Sequence, residues 1–136
     1  MKKRKTFQRE CIRQSIEMAQ RPLSINEIYG VAKKEAPKLG IATVYRSIRA
    51  LEEEGLVNRV DLPGRESRWE LERNKHHHHF LCLNCDRLFE VEGCPGNLKH
   101  LLPKGYVLES HDILLSGQCK DCNSNKFGAS SPSVPS

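Results

Sequence analysis

The sequence predicts an α+β fold in two parts: three short helices with a β-hairpin, followed by a small α/β unit that contains a four-cysteine metal site. Three observations support this prediction. Apolar residues recur at helical spacing in three consecutive segments before residue 55, two alternating segments follow, and two Cys-x-x-Cys pairs occur only after residue 80. The 136 residues suffice for one domain or two small ones, which excludes the large enzyme folds.

The three helical segments each have one apolar stripe, and they cover residues 8–19, 25–35 and 41–54. The second begins with a capping box, because Ser24 is followed three residues later by Glu27, and Gly55 is a natural end for the third. The stripes consist of Cys11, Ile12, Ile16 and Ala19, then Ile25, Ile28, Tyr29 and Ala32, and finally Ile41, Val44, Ile48 and Leu51. We therefore expect Cys11 to be a buried core residue rather than a ligand.

A β-hairpin completes the first half. Segments 56–61 and 67–72 alternate, and Leu62-Pro63-Gly64-Arg65 between them has proline and glycine in the order of a tight turn. Three helices followed by a hairpin are typical of a winged helix-turn-helix, in which the third helix enters the DNA major groove. We expect residues 1–73 to form this DNA-binding domain and residues 74–75, Asn74 and Lys75, to form a hinge.

The second half is expected to hold short strands around the cysteines. The pattern predicts strands at 76–83, 87–91 and 107–115, a turn at 92–95 and a short helix at 97–102. Residues 76–122 then form the second domain. Residues 123–136 are rich in Ser, Pro, Gly and Asn, which is typical of a disordered tail.

Net charge is concentrated in the first half. Residues 1–75 hold 17 basic and 11 acidic side chains (+6) and residues 76–136 hold 5 and 6 (−1), which together give the net charge of +5. A basic half joined to a near-neutral half favours contact between the first half and a polyanion such as DNA. No apolar run reaches the length of a membrane span and the basic start lacks an apolar segment, so we expect a cytoplasmic protein without a secretory signal.

Candidate DNA contacts lie on the third helix. Arg46 and Arg49 share the face opposite the apolar stripe, and Thr43 and Tyr45 are candidates for phosphate or thymine-methyl contacts. Further basic candidates are an arm of Lys2, Lys3, Arg4, Lys5 and Arg9 before the first helix, and Arg59, Arg65 and Arg68 on the hairpin. The alternative for each arginine alone is a solvated face, but topology and charge together favour DNA binding.

The two cysteine pairs predict a structural zinc site. Each pair places two thiolates on one ion through a tight turn, and two pairs complete a tetrahedral site. The cysteines are Cys82, Cys85, Cys119 and Cys122. A thioredoxin-like dithiol is the alternative, but that motif opens a helix in a βαβ unit, whereas each pair here follows a strand-like segment. Asp86 and Asn123, directly after the pairs, tolerate the left-handed backbone that such turns often need.

Four consecutive histidines, from His76 to His79, precede the first pair. In a strand, His77 and His79 point to one face and His76 and His78 to the other, so the run supplies ligands for two metal sites. Oxygen ligands near the first site are Glu70, Glu72 and Glu90. The best partner at the second site is His111, with Asn97, His100 and Cys94 as additional candidates. The alternatives are an exposed polar strand or a purification tag, and the tract's internal position disfavours the tag.

These motifs together resemble the ferric uptake regulator family of bacterial metal-responsive repressors. The resemblance rests on Thr6-Phe7-Gln8-Arg9, on GIATVYR from Gly40, on EEEGLV from Glu52, on HHHHFLCLNC from His76, on Ser110-His111 and on GQCKDC from Gly117. It extends over nearly the whole chain as far as Cys122.

The resemblance implies a homodimer with an amino-terminal winged helix and a carboxy-terminal α/β dimerisation domain, which binds palindromic operator DNA when a regulatory metal is loaded. By position it assigns the four cysteines to structural zinc. It assigns Glu70, His77, His79 and Glu90 to a sensory site, and His76, His78 and His111 to an additional site. It also implies that the protein is not an enzyme and has neither a membrane partner nor a small-molecule substrate.

Two departures from the family pattern bear on the metal. Pro22 stands where many iron- and peroxide-sensing members have a histidine ligand, and Asn97 stands where the additional site usually has a carboxylate. Without a histidine at position 22, the sensory donors are closer to a four-coordinate zinc set. We expect regulatory zinc, with iron(II) next and a peroxide response least favoured. Alternatives from another class are a zinc-dependent hydrolase that uses the histidines and a redox protein that uses Cys82 and Cys85.

Overall fold

The computed structural model describes residues 2–73 and 75–124. The chain divides into two compact units, one ending at Lys75 and the other beginning at His76. The predicted hinge residue Asn74 and residues 125–136 of the predicted disordered tail lie outside the described residues, as do the side chains of Lys2 and Lys3. No helix in the described ranges is long and apolar enough to cross a membrane.

The amino-terminal unit contains three helices and a two-stranded antiparallel sheet. The helices are α1 (Lys2–Ala19), α2 (Ile25–Glu35) and α3 (Ile41–Glu53), and the strands are β1 (Val57–Leu62) and β2 (Arg65–Leu71). Gly55, after α3, and Gly64, in the β1–β2 turn, have φ angles of 77° and 69°. Only glycine adopts positive φ angles without a steric penalty. This explains why α3 ends before Gly55 and why the hairpin turns at Gly64.

The core of this unit contains nine of the twelve residues in the predicted apolar stripes, and Cys11 is buried as predicted. Leu23, Ala36, Leu39 and Val57 complete it. Of the other stripe residues, Ala19 and Tyr29 are partly buried against this core, and Ile41 lies on the exposed first turn of α3. The loop after α1 is tied to the hairpin, since Leu23 and Trp69 exchange two backbone hydrogen bonds of 2.9 and 2.8 Å. This pairing fixes the hairpin against the helices.

The first helix is longer than the sequence pattern predicts. It begins at Lys2, so Arg4, Lys5 and Arg9 project from a helix and the expectation of a separate basic arm is wrong. The reason is propensity: Lys, Arg and Gln are good helix formers, and the segment has no glycine or proline to stop the helix. The apolar periodicity indicates only the part of the helix that packs on the core.

The carboxy-terminal unit is built on a three-stranded mixed sheet. Its strands are β3 (His78–Cys82), β4 (Leu88–Val91) and β5 (Leu114–Gly117), in the order β4-β3-β5. The central strand β3 runs antiparallel to β4 and parallel to β5. A 3-10 turn at Lys99–Leu101 and the helix α4 (Lys120–Ser124) complete the unit.

Three predictions for this unit are corrected by the structure. The predicted strand at 107–115 begins only at Leu114 and continues to Gly117; of the residues before it, Ile113 accepts the His79 N–H (3.2 Å) and Val107 is 81% exposed. The predicted helix at 97–102 is a single 3-10 turn. Asn123 lies within α4 and does not take the left-handed conformation, whereas Asp86 does, with φ of 65°.

We predict that Ser24→Ala destabilises the amino-terminal unit. Ser24 Oγ accepts a hydrogen bond from the Glu27 N–H (3.2 Å) while Glu27 accepts one from the Ser24 N–H (3.0 Å). Loss of such an N-cap typically costs about 0.5 to 2 kcal/mol. Chemical denaturation followed by circular dichroism measures the change. Ser67→Ala is the control, since it removes a half-buried hairpin hydroxyl that donates to Asp61 (2.8 Å) but caps no helix, and it should change stability less. Equal effects of the two variants would contradict the prediction.

Candidate metal centres and nucleic-acid interface

Four cysteine side chains converge at one end of the sheet in the carboxy-terminal unit. Cys82 ends β3, Cys85 lies in the β3–β4 turn, Cys119 directly precedes α4 and Cys122 lies within it. Their sulfur atoms all lie within 4.8 Å of one another. All four are free thiols, so the structure brings together the residues that the sequence predicts as one site.

The spacing of the sulfur atoms fits a tetrahedral metal. The distance from Cys82 Sγ to Cys122 Sγ is 3.7 Å and that from Cys85 Sγ to Cys119 Sγ is 3.8 Å. Four sulfurs at the Zn–S distance of about 2.3 Å lie about 3.8 Å apart at the edges of a tetrahedron. A site whose four donors all come from the protein has no open position for a substrate, which is typical of structural zinc and disfavours a hydrolase or an exchanging dithiol at this place.

Backbone hydrogen bonds shape the turns that carry these thiols. The Cys82 carbonyl accepts the Asp86 N–H (2.8 Å), which closes the first turn, and the Cys119 carbonyl accepts the Asn123 N–H (2.9 Å), which starts α4. The second pair therefore does open a short helix, contrary to the sequence-based reason for disfavouring a dithiol. The convergence of all four cysteines is the observation that favours a metal site over a dithiol.

Backbone donors also tune the thiols. Burial raises the pKa of Cys82, but the N–H groups of Cys85 (3.4 Å) and Cys119 (3.3 Å) point at its sulfur and, with that of Asn84, lower the pKa to about 6. Burial raises the pKa of Cys85 to about 12. Cys82 therefore ionises more readily than Cys85, and backbone N–H groups stabilise its thiolate.

One face of β3 carries His77 and His79. Their ring centroids are 5.0 Å apart, and His79 is paired directly with Glu90 of β4 across the antiparallel ladder. Directly opposed residues project from the same face, so two imidazoles and a carboxylate are grouped there. Among the other predicted oxygen donors, Glu70 is buried on β2 and Glu72 accepts a hydrogen bond from the Asn58 side-chain amide (2.5 Å).

The opposite face of β3 carries a second cluster, which contains His76, His78, His111 and Cys94. His111 Nε2 lies 3.2 Å from His76 Nε2 and 3.1 Å from Cys94 Sγ. Burial lowers the pKa of His78, and the rings of His76 and His111 lower it further, so this imidazole stays in the neutral, metal-binding form.

One additional candidate for this cluster lies outside it, because His100 is not among the residues whose donor atoms converge. The Asn97 side-chain oxygen accepts the Lys99 N–H (2.9 Å) in its own loop. Sequence reasoning left Cys94 as one option among three. Only the fold of the 92–113 segment brings its sulfur to the histidines.

The outer face of α3 forms the candidate nucleic-acid surface. Tyr45 is 53% exposed, and Arg46 and Arg49 are exposed on the face opposite the buried Val44, Ile48 and Leu51. Arg46 donates to Thr43 Oγ1 (3.1 Å), which holds the guanidinium along the helix surface. The candidate contacts on this helix therefore share one solvent-facing side.

A basic groove of about 560 Å³ lies between α1 and α3. Its basic lining residues are Arg4, Lys5, Arg9, Lys38 and Arg46. Lys38 was missed by sequence reasoning, and the signal that points to it is its position in the loop just before the third helix. The groove joins basic residues that are more than thirty positions apart in the sequence, so one surface gathers charge from both helices.

The hairpin arginines differ in their exposure, and therefore in whether they are able to contact DNA. Arg65 is exposed at the turn, and Arg59 is exposed and paired with Asp61 (3.2 Å). Arg68 is only 1% exposed and donates from Nε to the Glu66 carbonyl (3.2 Å), so it is part of the interior and the expectation that it contacts DNA is wrong. The alternation of β2 places it on the inner face of the hairpin.

The sequence of this chain is similar to those of known proteins. The sequence model described as the ferric uptake regulator family matches residues 1–116 of the chain. The chain belongs to this family. The ferric uptake regulation protein of Campylobacter jejuni is 32% identical over 126 residues, which are 89% of this chain and 80% of that protein. The family resemblance and the fold class predicted from the sequence are therefore confirmed.

Solved structures of the family have the same fold. The Helicobacter pylori ferric uptake regulator, described as having three functional metal binding sites, is 26% identical with a TM-score of 0.69, over 88% of this chain and 82% of its own. A zinc-bound manganese uptake regulator is 26% identical with a TM-score of 0.70, over 82% of this chain and 87% of its own. This chain is accordingly a metal-dependent transcriptional regulator of the ferric uptake regulator family.

We predict that Cys82→Ser removes one tightly held zinc per chain and unfolds the carboxy-terminal unit, because the remaining thiols cannot complete a tetrahedral site. Metal analysis of protein purified without an affinity tag gives the zinc count, and near-ultraviolet circular dichroism reports the fold. Cys11→Ala is the control, since Cys11 lies in the other unit, and it should keep the zinc. A Cys82→Ser protein with unchanged zinc and unchanged stability would exclude the structural role.

Proposed function

We propose that the protein is a transcriptional repressor that binds palindromic operator DNA as a homodimer when its regulatory metal site is loaded, and that it controls metal homeostasis, with zinc as the favoured signal. The observation that carries this proposal is the division of functional residues between the units. The basic outer face of α3 lies in one unit, and the three clusters of metal-binding donors use the histidines and cysteines of the other.

The DNA-binding part of the proposal rests on charge and shape. Arg46 and Arg49 lie on a helix of 13 residues whose outer face carries exposed polar side chains, as a major-groove reading helix requires. Arg4, Lys5 and Lys38 add positive charge beside it for phosphate contacts, and Arg65 does so at the tip of the hairpin. Thr43 and Tyr45 complete the proposed contact set.

The homodimer is supported by an exposed apolar edge in the carboxy-terminal unit. Strand β5 has only β3 as a neighbour in the described sheet, and its Leu114 and Leu115 are 41% and 49% exposed. An open strand edge with exposed leucines is a site of association. A two-fold dimer presents two reading helices and so matches a palindromic operator.

The proposed sensory site consists of Glu70, His77, His79 and Glu90, and the resemblance supplies this set. The grouping of His77, His79 and Glu90 on one face of the sheet supports the part of it that lies in the carboxy-terminal unit. The proposed additional site contains His76, His78 and His111. Zinc is favoured because Pro22 removes a histidine ligand and leaves imidazole and carboxylate donors that suit four-coordinate zinc. An iron- or peroxide-responsive member of the family is the alternative.

The proposal includes no catalytic role. A zinc-dependent hydrolase needs an open coordination position together with a general base, and a redox protein needs a dithiol that is free to exchange. The convergence of four cysteines on one point argues against the second. The basic surface of α3 has no use in either alternative.

We predict that Arg49→Ala and Tyr45→Ala weaken operator binding without changing metal content. A direct base contact contributes about 1 to 3 kcal/mol of discrimination, so affinity for the specific site should fall about 5- to 150-fold. The probe is DNA selected in vitro from a random pool by the metal-loaded protein, and fluorescence anisotropy at fixed salt measures binding. Lys104→Ala, in the other unit, is a charge-matched control. Equal affinity of all four proteins would place the DNA-binding face elsewhere.

We predict that His77→Ala combined with His79→Ala abolishes metal-dependent DNA binding while the four-cysteine zinc is retained. Couplings between sites are typically about 1 to 3 kcal/mol, so metal should raise wild-type affinity about 5- to 150-fold. DNA affinity is measured while zinc, and then iron(II), is added in increasing concentration. The metal that raises the affinity by this factor is the regulatory signal. A double variant that keeps the wild-type metal dependence would locate the sensor at another site.

A further inference from the structure

The cluster on the second face of β3 contains a donor that the family resemblance does not supply. The resemblance places Asn97 where the additional site usually has a carboxylate, and the structure instead brings the sulfur of Cys94 to the histidines. The donor set is three imidazoles and one thiol. All four belong to the carboxy-terminal unit, within residues 76–111.

The distances in this cluster fit four-coordinate geometry. Nitrogen and sulfur ligands bind zinc at about 2.0 to 2.1 and 2.3 Å, so neighbouring donors of a tetrahedron lie about 3.3 to 3.6 Å apart. His111 Nε2 lies 3.2 Å from His76 Nε2 and 3.1 Å from Cys94 Sγ. The rings of His76 and His78 have centroids 4.4 Å apart, and those of His78 and His111 lie 5.1 Å apart.

The buried histidine of the cluster points independently to a ligand. His78 is 2% exposed, and its Nδ1 accepts the Ile113 N–H (3.2 Å). Its Nε2 is buried and has no hydrogen-bond partner among the described residues. A buried polar atom without a partner is destabilising, and a bound water or ion is a common reason that a native structure contains one. Because Nδ1 accepts, the neutral ring carries its proton on Nε2. Zinc bound at Nε2 therefore displaces that proton and changes the contact between Nδ1 and the Ile113 N–H.

The thiol changes which metal the cluster prefers. A carboxylate is a hard donor that suits manganese and iron(II) in octahedral surroundings, whereas a thiolate is a soft donor that favours zinc in a tetrahedral site. Thiolate binding also releases a proton to solvent, because the ligand is the ionised form. Replacement of an oxygen donor by Cys94 therefore shifts the site away from the hard cations.

We propose that Cys94 is a thiolate ligand of the additional site and determines its metal preference, so that Cys94, His76, His78 and His111 hold one zinc ion in tetrahedral coordination. The proposal deepens the proposed function, since it names the metal of the additional site. Its test measures metal binding without DNA. A failure here would leave DNA binding untouched, and a failure to bind DNA would leave this assignment untouched.

Cobalt(II) replaces zinc in such sites and reports a thiolate ligand by charge-transfer absorption. The test uses the full chain with its four-cysteine centre kept loaded with zinc, and adds cobalt(II) without oxygen. The wild type should develop the thiolate band, and Cys94→Ser should lack it. Zinc affinity at this site should fall by more than the about 10- to 100-fold that is typical when a residue supporting a ligand is lost. In Cys94→Asp, the ratio of manganese(II) affinity to zinc affinity should be higher than in the wild type.

Cys11→Ala is the matched control, because it removes the remaining cysteine outside the four-cysteine centre and should leave the band unchanged. Zinc content is counted throughout, so that cobalt in the four-cysteine centre is not mistaken for cobalt at Cys94. An equal band in Cys94→Ser with full zinc content would overturn the proposal, as would its absence from the wild type.

A second measurement needs no variant. Cys94 is exposed, Cys85 and Cys122 are half-buried, and Cys11, Cys82 and Cys119 are buried. With the four-cysteine centre kept loaded with zinc, N-ethylmaleimide should therefore label Cys94 first when the additional site is metal-free. If zinc binds the sulfur, excess zinc should slow the labelling of Cys94 at least about tenfold. A thiol that is coordinated for more than nine-tenths of the time reacts at less than a tenth of the rate of the metal-free thiol. Peptide mass spectrometry measures the labelling rate of Cys94. Equal rates with and without zinc would overturn the proposal.

Discussion

The convergence of four thiols at the end of the β4-β3-β5 sheet is the constraint on which the carboxy-terminal unit depends. The buried apolar residues described from His76 onward are Leu81, Leu88, Cys82 and Cys119, and two of these four are members of the cluster itself. Burial of a leucine contributes about 1.5 to 3 kcal/mol, whereas a structural zinc ion contributes about 10 to 16 kcal/mol in small zinc domains. On the proposal that these thiols hold zinc, metal coordination stabilises this unit more than apolar burial does.

The amino-terminal unit is stabilised in a different way. Its thirteen-residue core, the capping box of α2 and the pairing of Leu23 with Trp69 hold it without metal. Such a unit is a rigid support for α3 and its arginines. If only the carboxy-terminal unit depends on metal, as we propose, metal regulates the protein without unfolding its DNA-binding surface.

Much of this architecture is predictable from the sequence because it follows local rules. Periodicity, the Ser24 capping box and the positions of Gly55 and Gly64 define α2, α3 and the hairpin, and the spacing of the cysteine pairs defines the metal centre. What fails depends on contacts between distant residues. Arg68 is buried on the inner face of the hairpin, and residues 107–113 form no strand. Cys94 reaches His111 only through the fold of an irregular segment, which no periodicity predicts.

Hydrogen exchange with mass spectrometry, on the full chain before and after removal of metal from the four cysteines by a chelator, tests the dependence on metal most directly. We expect amides of β3 and β5 to lose protection, including the Leu83 N–H bonded to the Gly117 carbonyl (2.7 Å), while amides of α1, α2 and α3 keep theirs. Protection of β3 and β5 that persists after the zinc has been removed would contradict the claim that the thiol cluster holds this unit together.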